Sequence, residues 1–206
     1  MSFSKAKEHL LSDFLFCVEK ENIPSLGQYF SDCATNGGGT SPDDYYLLPI
    51  TPTALGCLTT SSDCLTDGMI ELRSNYKEYV TDELGGHTEK GWRELCVIGF
   101  NVLEGITLDI QALDRSPVHL EWVDSKLHSL DWGRVLISAV VDFGKYYKAK
   151  QVRLRPAHRC PPPEEIKSDP AKLDEFLIGL GQRHDDSARA FGFDYDKALD
   201  CFTLDL

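Results

Sequence analysis

The sequence predicts an α+β domain: an antiparallel sheet meander with helices packed on one side, extended by a C-terminal, mostly helical segment. Three observations predict it. Residues 92–122 hold three short apolar runs joined by tight connections. Segments with helical apolar spacing flank them, at residues 3–20 and 132–147. A composition of 42% hydrophobic and 10% aromatic residues supplies a core large enough to hold the two together.

In chain order, Phe3, Ala6, Leu10, Leu11, Phe14, Leu15 and Val18 form one apolar helix face, leaving Lys5, Lys7, Glu8 and Glu19 to solvent. Pro24 opens a second short helix carrying Leu26, Tyr29 and Phe30, which Asn36-Gly37-Gly38-Gly39 ends. Residues 40–44 are a polar loop, and Tyr45 to Ile50, bounded by Asp44 and Pro52, reads as a strand. A helical turn at 52–58 and a polar loop at 59–63 follow. Leu65, Met69, Leu72, Tyr76 and Tyr79 then continue at helical spacing to Leu84, and Gly85-Gly86 reads as the stop of that helix.

The three runs come next: Leu95-Cys96-Val97-Ile98-Gly99-Phe100 behind Trp92, Ile106-Thr107-Leu108-Asp109-Ile110 after Gly105, and Val118 to Trp122 after Pro117. Strands joined by short turns pair antiparallel. Trp132, Val135, Leu136, Ala139, Val140, Phe143 and Tyr147 make the clearest helix of the chain, with Asp131 placed to cap it. Lys148, Lys150, Arg153 and Arg155 then form a basic stretch, and Pro161-Pro162-Pro163 ends regular structure. The expected organisation is a domain over 1–152, a linker over 153–168, and a helical extension over 169–206. In the extension, Asp169-Pro170 caps and opens a helix through Leu180 with Leu173, Phe176 and Leu177 on its apolar face, and 187–206 form a short helix or irregular segment.

Lys and Arg number 21 against 33 Asp and Glu, a net charge of -12. Negative potential disfavours nucleic acid and anionic membranes as partners and favours a basic protein. The 7 cysteines are odd in number and irregularly spaced, and no apolar run is long enough to span a bilayer. The expectation is a cytoplasmic protein with reduced thiols, no cofactor and no metal.

Several of these segments resemble the SUKH superfamily. Ile23-Pro24 before a short helix ending at Asn36-Gly37-Gly38, and Tyr46-Leu47-Leu48-Pro49-Ile50, are similar to its entry helix and first strand. Trp92 with Val97-Ile98-Gly99, Gly105 to Ile110, and Pro117-Val118 before Trp122 resemble its central meander. Residues 138–146 resemble its closing helix. The match spans 3–150; residues 58–92 exceed the family's length there and 153–206 have no counterpart. The resemblance implies an α+β binding module without enzymatic activity. Many bacterial members are immunity proteins that neutralise polymorphic toxins, often nucleases; fungal members regulate cell-wall synthesis and signalling; some viral members counter host defence.

The chemistry-bearing residues suit recognition better than catalysis. Cys33, Cys57 and Cys64 lack the close pairing of a zinc site. Gly37-Gly38-Gly39 has neither the preceding strand nor the Lys of a phosphate loop. A hydrolase would have to use His184 with Asp185 or Asp186, or Cys160 with His158; solvated connections are the alternative in both cases. Alternation places Thr107 and Asp109 on the polar side of their strand, with Glu121 or His119 nearby, as a carboxylate row for a partner or as an ordinary solvated face. The candidate partner-binding residues are Asp43, Asp44, Asp82, Glu83, Thr107, Asp109, Asp114, Glu121 and Asp124, which would cap the basic groove of a nuclease toxin. The basic stretch and prolines at 148–163 suggest a second role, a regulatory scaffold docking through its C-terminal tail.

Overall fold

The computed structural model describes residues 2–19, 45–50, 66–82, 85–115, 132–162 and 164–206. The expected helix at 24–35, Gly37 to Gly39, the segments at 52–63, the strand at 118–122 and the cap Asp131 lie outside these residues. The described residues form an α+β fold around one mixed, seven-stranded sheet. Its strands are β1 (Tyr45–Ile50), β2 (Gly68–Asp82), β3 (Gly85–Leu103), β4 (Thr107–Arg115), β5 (Gln151–Leu154), β6 (Asp194–Asp196) and β7 (Cys201–Asp205). They lie in the order β1-β2-β3-β4-β5-β7-β6.

β1 to β4 are an antiparallel meander, of which the β3–β4 pairing is the part that was expected. The sheet then departs from the prediction. β5 joins β4 in parallel, through a connection that includes helix α2 (Trp132–Tyr146). Parallel neighbours require such a crossover, because a tight turn reverses chain direction.

Three expectations are corrected. The helix over 65–84 is strand β2, and Gly85 opens β3 rather than ending a helix; Asp82 pairs with Gly85 and Leu72 with Cys96. Met69, Leu72, Tyr76 and Tyr79 satisfy a helical period, but Ile70, Leu72 and Ser74 alternate with Glu71 and Arg73, and the first set is fully buried. The linker placed at 153–168 begins inside β5, whose Leu154 is completely buried, and continues as 3-10 turns at Ala157–Arg159 and Glu164–Ile166. The C-terminal segment is mostly helical, as expected, but 187–206 also carries strands rather than only a short helix or irregular chain. After helices α3 (Pro170–Gly181) and α4 (Ser187–Ala190), β7 inserts between β5 and β6 and completes the sheet.

The core lies on one face. α1 (Phe3–Glu19) places Phe14 edge-on against Phe100 of β3 and Phe143 of α2, at centroid distances of 5.2 and 4.8 Å, so both helices cover the same side. Ile70, Leu72, Ile98, Phe100, Leu108, Ile110, Val152, Leu154 and Phe202 meet them from the strands. Of the α1 face, Leu10 and Phe14 are buried while Phe3 stays exposed. α3 follows its predicted cap: the Asp169 carboxylate accepts the Lys172 N–H at 3.3 Å. Its Leu180 is buried, but Leu177 is 43% exposed, contrary to the predicted face.

Candidate functional site

Strand alternation turns a second set of side chains away from α1 and α2. On β2 and β3 these are Glu71, Arg73, Val97 and Asn101; on β4, β5 and β7 they are Thr107, Asp109, Gln151, Arg153, Thr203 and Asp205. The result is a polar sheet face whose members are mostly half-buried.

Two β-bulges shape it. Between β3 and β4, Gly99 pairs with Ala112 and Phe100 with Ile110, which leaves Gln111 as the extra residue. Between β2 and β3, Leu72 pairs with Cys96 and Arg73 with Glu94, which leaves Leu95 unpaired in the register. A bulge re-aims the side chains beside it. Gln111 Nε2 donates to Asp109 Oδ2, two residues back on the same strand, and Gln111 Oε1 accepts from Arg155 Nη2. A second triplet has the same chemistry: Arg153 Nε donates to Gln151 Oε1 at 2.8 Å, and Gln151 Nε2 donates to Asp205 Oδ1 at 2.9 Å. In each, a glutamine amide is oriented between a guanidinium and a carboxylate. Asp109 and Arg153 are direct cross-strand partners, which brings the triplets side by side.

Burial pushes the Asp109 carboxyl above the usual carboxylate range, against the hydrogen bond from Gln111 and the pull of Arg153, Arg155 and Arg159. A third cluster lies further along the face. Arg73 Nη2 approaches Glu71 Oε2 at 2.6 Å, and Glu94, directly across from Arg73, is raised by burial and then by the Glu71 charge.

The expectation of a carboxylate row around Asp109 is therefore corrected. β5 lies beside β4 and supplies guanidinium groups, so the face is of mixed charge. Thr107 lies on this face between Leu103 and Gln151 and is 6% exposed. Asp114 is exposed. Asp82 ends β2, with only its backbone described; Asp43, Asp44, Glu83, Glu121 and Asp124 lie outside the described residues. Sequence reading missed Gln111, Gln151, Arg153 and Arg155. The signal was present in Gln151-Val152-Arg153-Leu154-Arg155, whose strict polar–apolar alternation is a strand pattern.

The residues singled out for hydrolysis sit beside this face without forming a catalytic pair. His184 lies in a π-helical turn (Gln182–Asp186) between α3 and α4 and is 2% exposed. Its Nδ1–H donates to the Arg155 carbonyl at 2.8 Å, since a carbonyl only accepts. Burial lowers its pKa and favours the neutral ring. Asp185 Oδ1 accepts the Ala157 N–H at 2.9 Å, and Asp186 pairs with Arg189. The Cys160 thiol is pushed up by burial and lies 3.7 Å from the Pro156 carbonyl; His158 instead contacts Asp200 at 3.0 Å. A raised thiol without an adjacent imidazole is a poor nucleophile. Among the described residues, no group of three or more His, Cys, Asp or Glu is placed to hold a metal ion, and no helix is long and apolar enough to cross a membrane. No protein-family model matches this chain, and no curated protein matches it.

Proposed function

We propose that this protein is a non-enzymatic binding module that works by occluding the surface of a protein partner through its polar sheet face. The observation that supports this reading is the pair of arginine–glutamine–carboxylate triplets. They hold Asp109, which is half-buried, and Asp205, which is exposed, in fixed orientations, and side chains ordered before contact lose less entropy on binding. The favoured partner is basic, because a net charge of -12 accelerates encounter with a positive surface.

The most concrete form of the proposal follows the SUKH resemblance: a cytoplasmic immunity protein that covers the basic groove of a nuclease-type toxin. The test is titration of the purified chain against each basic protein encoded beside its gene. A one-to-one complex that suppresses the toxin's activity, and forms more slowly as salt rises, is the expected result. Absence of binding by every such protein at low salt contradicts the proposal. The tail-docking scaffold has less support, since the tail it requires is β7, paired to β5 within the sheet.

A further inference from the structure

β2 and β3 outrun their neighbours in the sheet. β1 pairs with β2 only as far as Ser74, and β4 pairs with β3 only as far as Cys96. Beyond those points residues 75–82 and 85–92 continue as a two-stranded arm of eight residue pairs, from Asn75 with Trp92 to Asp82 with Gly85. At about 3.3 Å per residue the arm extends roughly 26 Å. Among the described residues neither of its long edges has a strand beside it.

Such an arm calls for a neighbour. Two strands alone are marginally stable in water, and an open edge is a template for another strand. The outer edges of the sheet itself are protected: β1 carries Pro49, and β6 is three residues long. The arm contains no proline. Its internal register also sets like charges opposite each other, Lys77 on Lys90 and Glu78 on Glu89, which weakens it as a free-standing pair. A further strand that sets a basic residue beside Glu89 offsets part of this.

The β3 edge of the arm is complementary to itself. Turned about a two-fold axis at Thr88, residues 85–91 of two copies pair antiparallel with Thr88 on Thr88, His87 on Glu89, Gly86 on Lys90 and Gly85 on Gly91. This register places a histidine–carboxylate pair on each side of the axis and a Thr–Thr pair at its centre, both favourable across strands. No like charges are set directly opposite. Three of the seven residues are glycines, so a second backbone can approach closely. The β2 edge has no such register. Residues opposed across a two-fold axis differ by an even number, and Lys77 lies an odd number from both Glu78 and Asp82. We propose that a second copy of this chain pairs with the β3 side of the arm about Thr88, joining two arms into one four-stranded antiparallel sheet. Each chain carries a net charge of -12, so the copies repel at long range and the dimer tightens as salt rises. That salt dependence is opposite in sign to capture of a basic partner.

Sedimentation equilibrium of the full chain and mild oxidation of Thr88→Cys test this together. Opposed residues in an antiparallel pair have Cα atoms about 4.5–5.5 Å apart, within disulfide range. A reversible dimer that tightens with added salt is expected, as is a disulfide-linked dimer of Thr88→Cys. Tyr79→Cys, at the position paired with Thr88 within the arm, should not cross-link, nor should the wild type with its native thiols. Glu89→Lys should weaken the dimer about tenfold, because the change acts twice across the axis. It also lowers the net repulsion between copies and removes the Glu78–Glu89 repulsion within the arm, so a looser dimer cannot be put down to either. A chain that stays monomeric at millimolar concentration and high salt overturns the assignment. So does cross-linking of Tyr79→Cys as strong as that of Thr88→Cys, or a dimer unaffected by Glu89→Lys. Slow amide exchange at residues 85–91 in a monomer would mean that the chain covers that edge itself, which also overturns it.

Discussion

The imidazole of His184 takes over from the sheet where β5 stops pairing with β7. Leu154 is the last residue of β5 with a partner on β7, and the next carbonyl, that of Arg155, accepts Nδ1–H of His184 at 2.8 Å. The Arg155 N–H still reaches Ile110 of β4, while its guanidinium holds Gln111. One histidine thus fixes the backbone of the arginine that orders half of the polar face.

Replacing His184 by Phe keeps much of the ring volume and removes the donor. The unpaired Arg155 carbonyl should cost about 1–3 kcal/mol at neutral pH. The pH dependence has a definite sign. Because the folded pKa is lowered from 6.5, the stabilisation is fully present above that value and is lost as pH falls from it towards the folded value. Urea melts of wild type and His184→Phe between neutral pH and pH about 5 check this: the wild type loses stability through that window, and the variant lacks this component.

Asp142→Asn should act in the opposite direction. A carboxyl raised by burial binds its proton more tightly when folded, so it destabilises most above the folded value and ceases to do so below the ordinary carboxylate range. The variant should be more stable than wild type at neutral pH by roughly 1 kcal/mol, a gain that fades on acidification. Thermal melts at neutral and acidic pH measure it.

Gly68 leaves room for Phe100. A Cβ at 68 would lie 2.6 Å from Phe100 Cζ and 3.0 Å from Cε1, and Phe100 is wholly buried against Phe14. Gly68→Ala should therefore cost about 1–3 kcal/mol through displacement of that ring, read as a lowered denaturation midpoint with an unchanged slope.

Truncation before β6 should unfold the chain rather than release a tail. It removes Phe202, which is 2% exposed, and strips β5 of its β7 partner, leaving a buried strand as an open edge. Phe202→Ala alone should cost about 3–5 kcal/mol. Circular dichroism of the truncated chain distinguishes this from an independent tail, whose loss would leave the spectrum of the remainder intact.

Elements whose local chemistry has one solution were legible in the sequence. Asp169-Pro170 announces α3 because a carboxylate cap and a first-turn proline both suit a helix start. The apolar face of α2 is periodic enough to exclude a strand, and Tyr45–Ile50 is too short and too bounded to be a helix. β2 was misread because its aromatic and aliphatic residues satisfy both periods, and only the pairing with β3 decides between them. β5 was misread because prolines and arginines nearby suggested a linker, whereas its two apolar residues are buried by long-range contacts with Leu108, Ile110, Phe202 and Leu204. The polar face inherits that error. Asp109 was found from its own strand, but the guanidinium groups beside it come from a strand more than forty residues away, and local pattern carries no information about that neighbour.

The most direct test of the central claim is the affinity of a basic, adjacently encoded partner for wild type and for the Asp109→Asn, Asp205→Asn double variant. Asparagine still accepts from Gln111 and Gln151, so the fold should persist and the melt remain cooperative. The expected affinity is at least about tenfold weaker, from losing two oriented charges at the contact. An unchanged affinity in a folded double variant would contradict recognition through this face.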